Sequence, residues 1–195
     1  MLLVLAGLLP WQLFAAALNG SSGSLVSNSS LIYKIYFPRR IVPLSALAVS
    51  LIDSSIVFVL FTGLAAWFGY YPTWHWWLLP FFVLLAMGAA FGIGLWLTSL
   101  TVKFRDFRFI VPFLRQIGVF VTPVGFRTDF FPNWRGLLAL NPMTAAVDGF
   151  RWCLLGGNQT IDPIGLGFGC VLITVIIVNG LWYFRRTEKS LADVI

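Results

Sequence analysis

Few side chains in this chain could do chemistry, and their spacing argues against catalysis. There is one histidine, His75, and two cysteines, Cys153 and Cys170. The cysteine spacing fits neither a metal site nor a redox pair, and one histidine assembles no metal site or catalytic dyad. The seven acids are scattered singly, which leaves no carboxylate pair for general acid–base work. No G-x-x-x-x-G-K-S/T run is present, so ATP has no phosphate cradle here. What remains is charge in apolar surroundings. Asp53 and Arg115, with Gln116 beside the latter, fall inside long apolar runs. An ionised group at that depth in a bilayer costs about 2.5–3.5 kcal/mol on insertion scales. Asp53 and Arg115 lower this cost if they pair or share a network with Gln116. Otherwise Arg115 snorkels to phosphate and Asp53 takes up a proton.

A second chemical feature is the stretch Leu31–Ser45, LIYKIYFPRRIVPLS. Lys34, Arg39 and Arg40 hold it in water, and basic segments stay on the cytoplasmic side. Leu31, Ile32, Tyr33, Ile35, Tyr36 and Phe37 supply more apolar surface than a connector needs. Pro38 limits a helix of about two turns, because it lacks an amide donor and restricts Phe37 before it. Two readings follow: an interfacial anchor on acidic lipid, or a plug that docks into a cytoplasmic partner.

The elements that must position these groups are membrane helices. The 195 residues are 59% hydrophobic and 10% charged, against about 25% charged in soluble domains. Five spans are expected, at 1–18, 46–67, 78–100, 109–125 and 164–184. The polar stretch 19–30 is either a loop or a helix extension packed through small side chains. Nine cations (Lys34, Arg39, Arg40, Lys103, Arg105, Arg108, Arg185, Arg186 and Lys189) fall in three short segments on one side. This places the N-terminus outside and the C-terminus inside. The net charge of +6 is thereby an orientation signal rather than a nucleic-acid signature. Gly88-x-x-x-Gly92 permits close helix approach, within one subunit or at a dimer seam.

On the outer side, Thr73–Trp77 (TWHWW) is an aromatic belt by composition, or a platform on which Trp74, Trp76 and Trp77 stack sugar rings. His75 reads as an interfacial residue. Met143–Leu155 is an amphipathic helical pattern carrying Asp148, Arg151 and Trp152. A dozen apolar residues are too few to cross, so a re-entrant or interfacial helix pair is expected, hinged at Asn141-Pro142 and ended by Gly156-Gly157.

Four blocks carry a resemblance: GLLPWQLF at Gly7–Phe14, NSSLIYKIYFPRRIVPLSA at Asn28–Ala46, KFRDFRFIVPFLRQIGVFVTPVGF at Lys103–Phe126, and LNPMTAAVDGFRWCLLG at Leu140–Gly156. In this order they resemble the permease subunit of type-2 polysaccharide ABC exporters. The resemblance implies an all-α polytopic membrane protein with five spans, a cytoplasmic coupling helix and short outer re-entrant helices. It makes residues 1–195 a single permease domain in the bacterial inner membrane. It implies a permease homodimer with two separate ATPase subunits, which would bind the ATP and Mg, and a lipid-linked polysaccharide of O-antigen, capsule or teichoic acid type as substrate. Leu31–Arg40 becomes the coupling helix, and the region Asn141–Gly156 the outer gate. Family members carry an amphipathic helix and one more span before the GLLPW block, so the chain reads as N-terminally truncated relative to them. A membrane scaffold without transport activity is the alternative.

Overall fold

The computed structural model describes residues 2–27, 41–71, 73–104, 106–126, 135–156 and 162–191. Regular structure among the described residues is helical throughout: α1 (Leu2–Ser27), α2 (Ile41–Trp67), a 3₁₀ turn (Trp74–Leu78), α3 (Leu79–Lys103), α4 (Phe107–Val121), α5 (Arg135–Ala139), α6 (Pro142–Leu154) and α7 (Pro163–Leu191). Apolar runs of this length must close their backbone hydrogen bonds internally in lipid, which a helix does. Four helices are long and apolar enough to cross: α1, α2, α3 with the turn before it, and α7.

α4 departs from expectation. Its 15 residues reach roughly 22 Å, short of the ~30 Å hydrocarbon core. The chain leaves the helix at Thr122, and Thr122, Pro123 and Val124 are buried as irregular backbone. The stretch after Leu18 is also settled. α1 does not stop there but runs to Ser27, with Ser21, Ser22 and Ser24 buried. It is therefore a helix extension, and small side chains let neighbours approach. A Cβ on Gly20 would sit 3.3 Å from Ala46 Cβ, and Thr98 Oγ1 lies 2.8 Å from the Ser21 carbonyl oxygen. α2 starts at Ile41 rather than Ala46, with Pro43 in its first turn, where its missing donor costs nothing.

α1 is the central helix. It has no segregated polar face and packs against α2, α3, α4 and α6, as such a helix should. α2 and α7 are peripheral and largely open, for example at Ile52, Ile56 and Leu60. One end of the bundle carries Lys103, Arg185 and Arg186, and the other carries the turn Trp74–Leu78. These are called the basic end and the aromatic end below.

α3 and α7 run parallel and cross on glycine. A Cβ on Gly180 would lie 2.5 Å from the Gly92 carbonyl oxygen, and one on Gly92 would lie 2.9 Å from the Ile177 backbone nitrogen. Gly88 faces Ile173 and Ile177 across the same seam. The Gly88-x-x-x-Gly92 pattern thus serves packing within the subunit.

Candidate functional site

Polar groups converge at the aromatic end, around α6. Asn141 shapes the hinge before it. Its Oδ1 accepts from the Met143 amide at 2.9 Å, which caps the helix. Its Nδ2 donates to Thr122 Oγ1 at 2.8 Å, tying the hinge to the end of α4. Pro142 takes the first helical position, which suits its fixed φ. Thr144 Oγ1 donates to the Leu138 carbonyl at 2.7 Å, joining α6 to α5. Gly156, at φ 72°, ends the stretch in the left-handed region.

α6 is buried along nearly its whole length, although it carries Asp148 and Arg151. Arg151 is fully buried. Its Nε donates to the Leu3 carbonyl at 3.2 Å, its Nη1 to the Phe126 carbonyl at 2.9 Å, and its Nη2 to the Val124 carbonyl. Asp148 Oδ1 lies 3.8 Å from Nη1. A guanidinium with five fixed donors is suited to this role. It clasps the start of α1 and the irregular backbone after α4 onto α6. Gly7 makes room for it, since a Cβ there would lie 2.7 Å from Nη2. Gly149 does the same for the Phe82 ring.

The aromatic residues divide by role. Trp74 and Trp77 are exposed with ring centroids 6.3 Å apart. Trp76 turns inward, 5.6 Å from Phe58. His75 meets the edge of Trp152 at 4.2 Å, joining the 3₁₀ turn to α6. Trp74 and Trp77 are thus the pair open to lipid or ligand, while Trp76, His75 and Trp152 are packing.

Asp53 and Arg115 do not meet. Asp53 lies on the open face of α2, and Arg115 and Gln116 are exposed on α4. Among the described residues no ion pair joins Asp53 to Arg115. The physical reason is helix placement: α4 packs on α1 and α3. The stretch Leu31–Arg40 (Leu31, Ile32, Tyr33, Lys34, Ile35, Tyr36, Phe37, Pro38, Arg39, Arg40) lies outside the described residues. Among those described, no cluster of His, Cys, Asp or Glu could hold a metal ion.

Two features were not anticipated: the carbonyl partners of Arg151 and the glycines that admit it and Phe82. The only trace of the first was an Asp148/Arg151 pair at i, i+3 in an otherwise apolar helix. The Gly149 contact yields a prediction. Gly149→Ala drives a methyl into the Phe82 ring and should cost about 1–3 kcal/mol. Phe82→Leu in the same chain should return most of that loss. Thermal unfolding in detergent checks both, and no recovery in the double variant would place the strain elsewhere.

The described residues form an apolar helical bundle with one short buried helix, α6, at its aromatic end. The chain belongs to the ABC-2 type transporter family, whose sequence model matches residues 2–155. Two O-antigen export system permease proteins RfbA of Klebsiella pneumoniae are similar along its whole length. One is 24% identical over 195 residues, covering 98% of this chain and 74% of the relative. The other is 25% identical over 196 residues, covering 100% and 75%. The RfbA permease of Myxococcus xanthus is 29% identical over 148 residues, covering 74% and 57%. The protein is accordingly a multi-pass inner-membrane transporter subunit and not itself an enzyme.

Proposed function

We propose that this chain is the permease of an ATP-driven exporter that moves lipid-linked polysaccharide, of O-antigen, capsule or teichoic acid type, across the bacterial inner membrane. The observation that carries this reading is similarity to O-antigen export permeases over 98–100% of the chain. The permease works as a homodimer with two ATPase subunits, which hold the ATP and Mg. The irregular backbone after α4 completes a fifth crossing, and the basic end faces the cytoplasm. The Trp74 and Trp77 faces are open to sugar rings.

In this reading Leu31–Arg40 is the coupling helix. It joins α1 to α2, so a push on it moves both. α1 is a rod of 26 residues, about 39 Å long. It is tied to α3 through Ser21 and Thr98 near the basic end, and to α6 through Leu3 and Arg151 at the other. A displacement delivered at the docking segment therefore reaches the re-entrant pair through one helix.

The test is complementation. The permease containing this chain, with whatever upstream segment its gene encodes, and its ATPase should restore surface polysaccharide in a host lacking its own permease, with residues 1–195 alone exporting poorly by comparison; failure of the extended permease overturns the reading. Replacing both Tyr36 and Phe37 by Ala should separate docking from insertion. Loss of buried aromatic anchors commonly costs about 2 kcal/mol or more, so the ATPase should no longer co-purify while membrane insertion stays normal. Unchanged co-purification with unchanged export would remove the docking role.

A further inference from the structure

A cleft of about 330 Å³ lies between α3 and α7, with Ile93, Leu97 and Leu100 on one wall and Val175 and Asn179 on the other. A second, of about 410 Å³, continues it past Trp182, and the two share Val175 and Asn179. Each is within the range of about 300–1,000 Å³ that holds small molecules. Val175 and Trp182 are more than half exposed, so the cleft opens toward lipid rather than into the bundle. Besides its tryptophans, it has two polar side chains. Thr174 Oγ1 donates to the Cys170 carbonyl at 2.8 Å. The Asn179 amide makes no hydrogen bond among the described residues, a state that hydrocarbon penalises.

Val175, Asn179, Trp182 and Arg186 are spaced by four, three and four residues, which keeps them within about 60° of one another around α7. Arg186 closes the basic end of this face. Helical side chains lean toward the N-terminus, and the Arg186 guanidinium carbon lies 5.5 Å from the centre of the Trp182 ring. The cation thereby reaches the level of Trp182, roughly 4–5 Å along the axis from Asn179. Nearby, Trp96 stacks on Tyr183 with ring centroids 5.0 Å apart, and such aromatics mark headgroup level. From the basic end inward, the cleft therefore presents a guanidinium, an amide and an apolar trough. A phospholipid presents the complement in the same order: phosphate, ester carbonyl, acyl chain. Guanidinium matches phosphate as a fork, and basic pockets between membrane helices hold lipid headgroups.

We propose that the α3–α7 cleft seats one anionic bilayer phospholipid, its phosphate on Arg186, an ester carbonyl on Asn179 Nδ2 and an acyl chain along Ile93, Leu97 and Val175. A headgroup without an ammonium leaves the full phosphate charge to Arg186, so an anionic lipid is preferred to a zwitterionic one. The lipid supplies the partner that Asn179 lacks and fills the open side of the seam. The seat is independent of what the permease carries.

The experiment is native mass spectrometry of the permease–ATPase complex, with whatever upstream segment the gene encodes, titrated with phosphatidylglycerol or phosphatidylcholine. Wild type should hold one phosphatidylglycerol per permease about tenfold more tightly than phosphatidylcholine, and equal affinities overturn the proposal. Arg186→Gln should remove the preference and Arg186→Lys return part of it. Arg185→Gln, about 100° round the helix, should leave it intact. Equal losses at Arg185 and Arg186 would make the attraction diffuse and overturn the seat. Asn179→Leu should weaken both lipids alike, since both carry ester carbonyls, and no change there overturns the assignment of the amide. Val175→Phe should fill the cleft and release both lipids with Arg186 still in place. Unchanged binding in Val175→Phe puts the lipid elsewhere, and separation of two permease copies by it makes the occupant the partner subunit; either result overturns the proposal. Displacement of phosphatidylglycerol by an equal concentration of glycerol phosphate would show that no acyl chain is held, and the proposal fails.

Discussion

Arg151→Met should lower stability by more than about 3 kcal/mol, the largest loss expected from any single side chain described here. The methionine fills much of the volume but donates nothing. The carbonyls of Leu3, Val124 and Phe126 lose a charged donor inside the bundle, and an unsatisfied buried acceptor costs about 1–3 kcal/mol. Asp148 also loses the cation beside it. Breaking a buried charged cluster by removing one partner runs to about 3–5 kcal/mol. Arg151→Lys keeps the charge but replaces a planar fork by a point, and should fall between the two. The midpoint of thermal unfolding in detergent is the measurement, with exposed Arg185→Met as the control that stays unchanged. A midpoint for Arg151→Met within error of wild type would mean the clasp contributes nothing.

Gly180→Leu should have the second largest effect. At most glycine contacts here the obstacle is a side chain that can turn away. At Gly180 it is the backbone of Gly92, 2.5 Å from where a Cβ would stand. Neither helix can yield locally, so α3 and α7 must part along their seam. Gly180→Ala alone should cost about 1–3 kcal/mol by overpacking, and the leucine more. Gly167, on the same helix, has nothing within 4 Å of its Cβ position, and Gly167→Ala should be neutral. Expression level and unfolding midpoint report both. If Gly180→Leu instead leaves the monomer intact and only blocks association of two copies, the seam belongs between subunits.

Composition and run length were enough to read the helical class and most of the spans, because lipid forces long apolar runs into helices. The hinge at Asn141-Pro142 was readable for a local reason: a capping side chain followed by proline has few other conformations. What sequence reasoning could not reach depends on rotation and contact across helices. Asp53 and Arg115 have similar depth along their helices, yet depth says nothing of the direction a side chain faces. The extension of α1 to Ser27 was ambiguous because serines and glycines suit a loop as well as a close crossing. Thr98 and Gly94, more than seventy residues away, decide it. The burial of Arg151 was hidden because the groups that hold it to α1 and to the backbone after α4 are carbonyls, which any residue supplies.

The direction in which Arg151 reaches has a bearing on biogenesis. Its three carbonyl partners among the described residues all precede it in the chain, so each is synthesised and delivered to the membrane before the residue that fastens it. α1 enters the bilayer with a vacancy beside Gly7 that is filled only when residue 151 emerges, some 140 residues later. The aromatic end is therefore closed by a late segment of the nascent chain. A polypeptide arrested before residue 151 would hold its early helices in the membrane with that end unsealed, a state that membrane proteases which survey unfinished proteins could distinguish from the completed subunit.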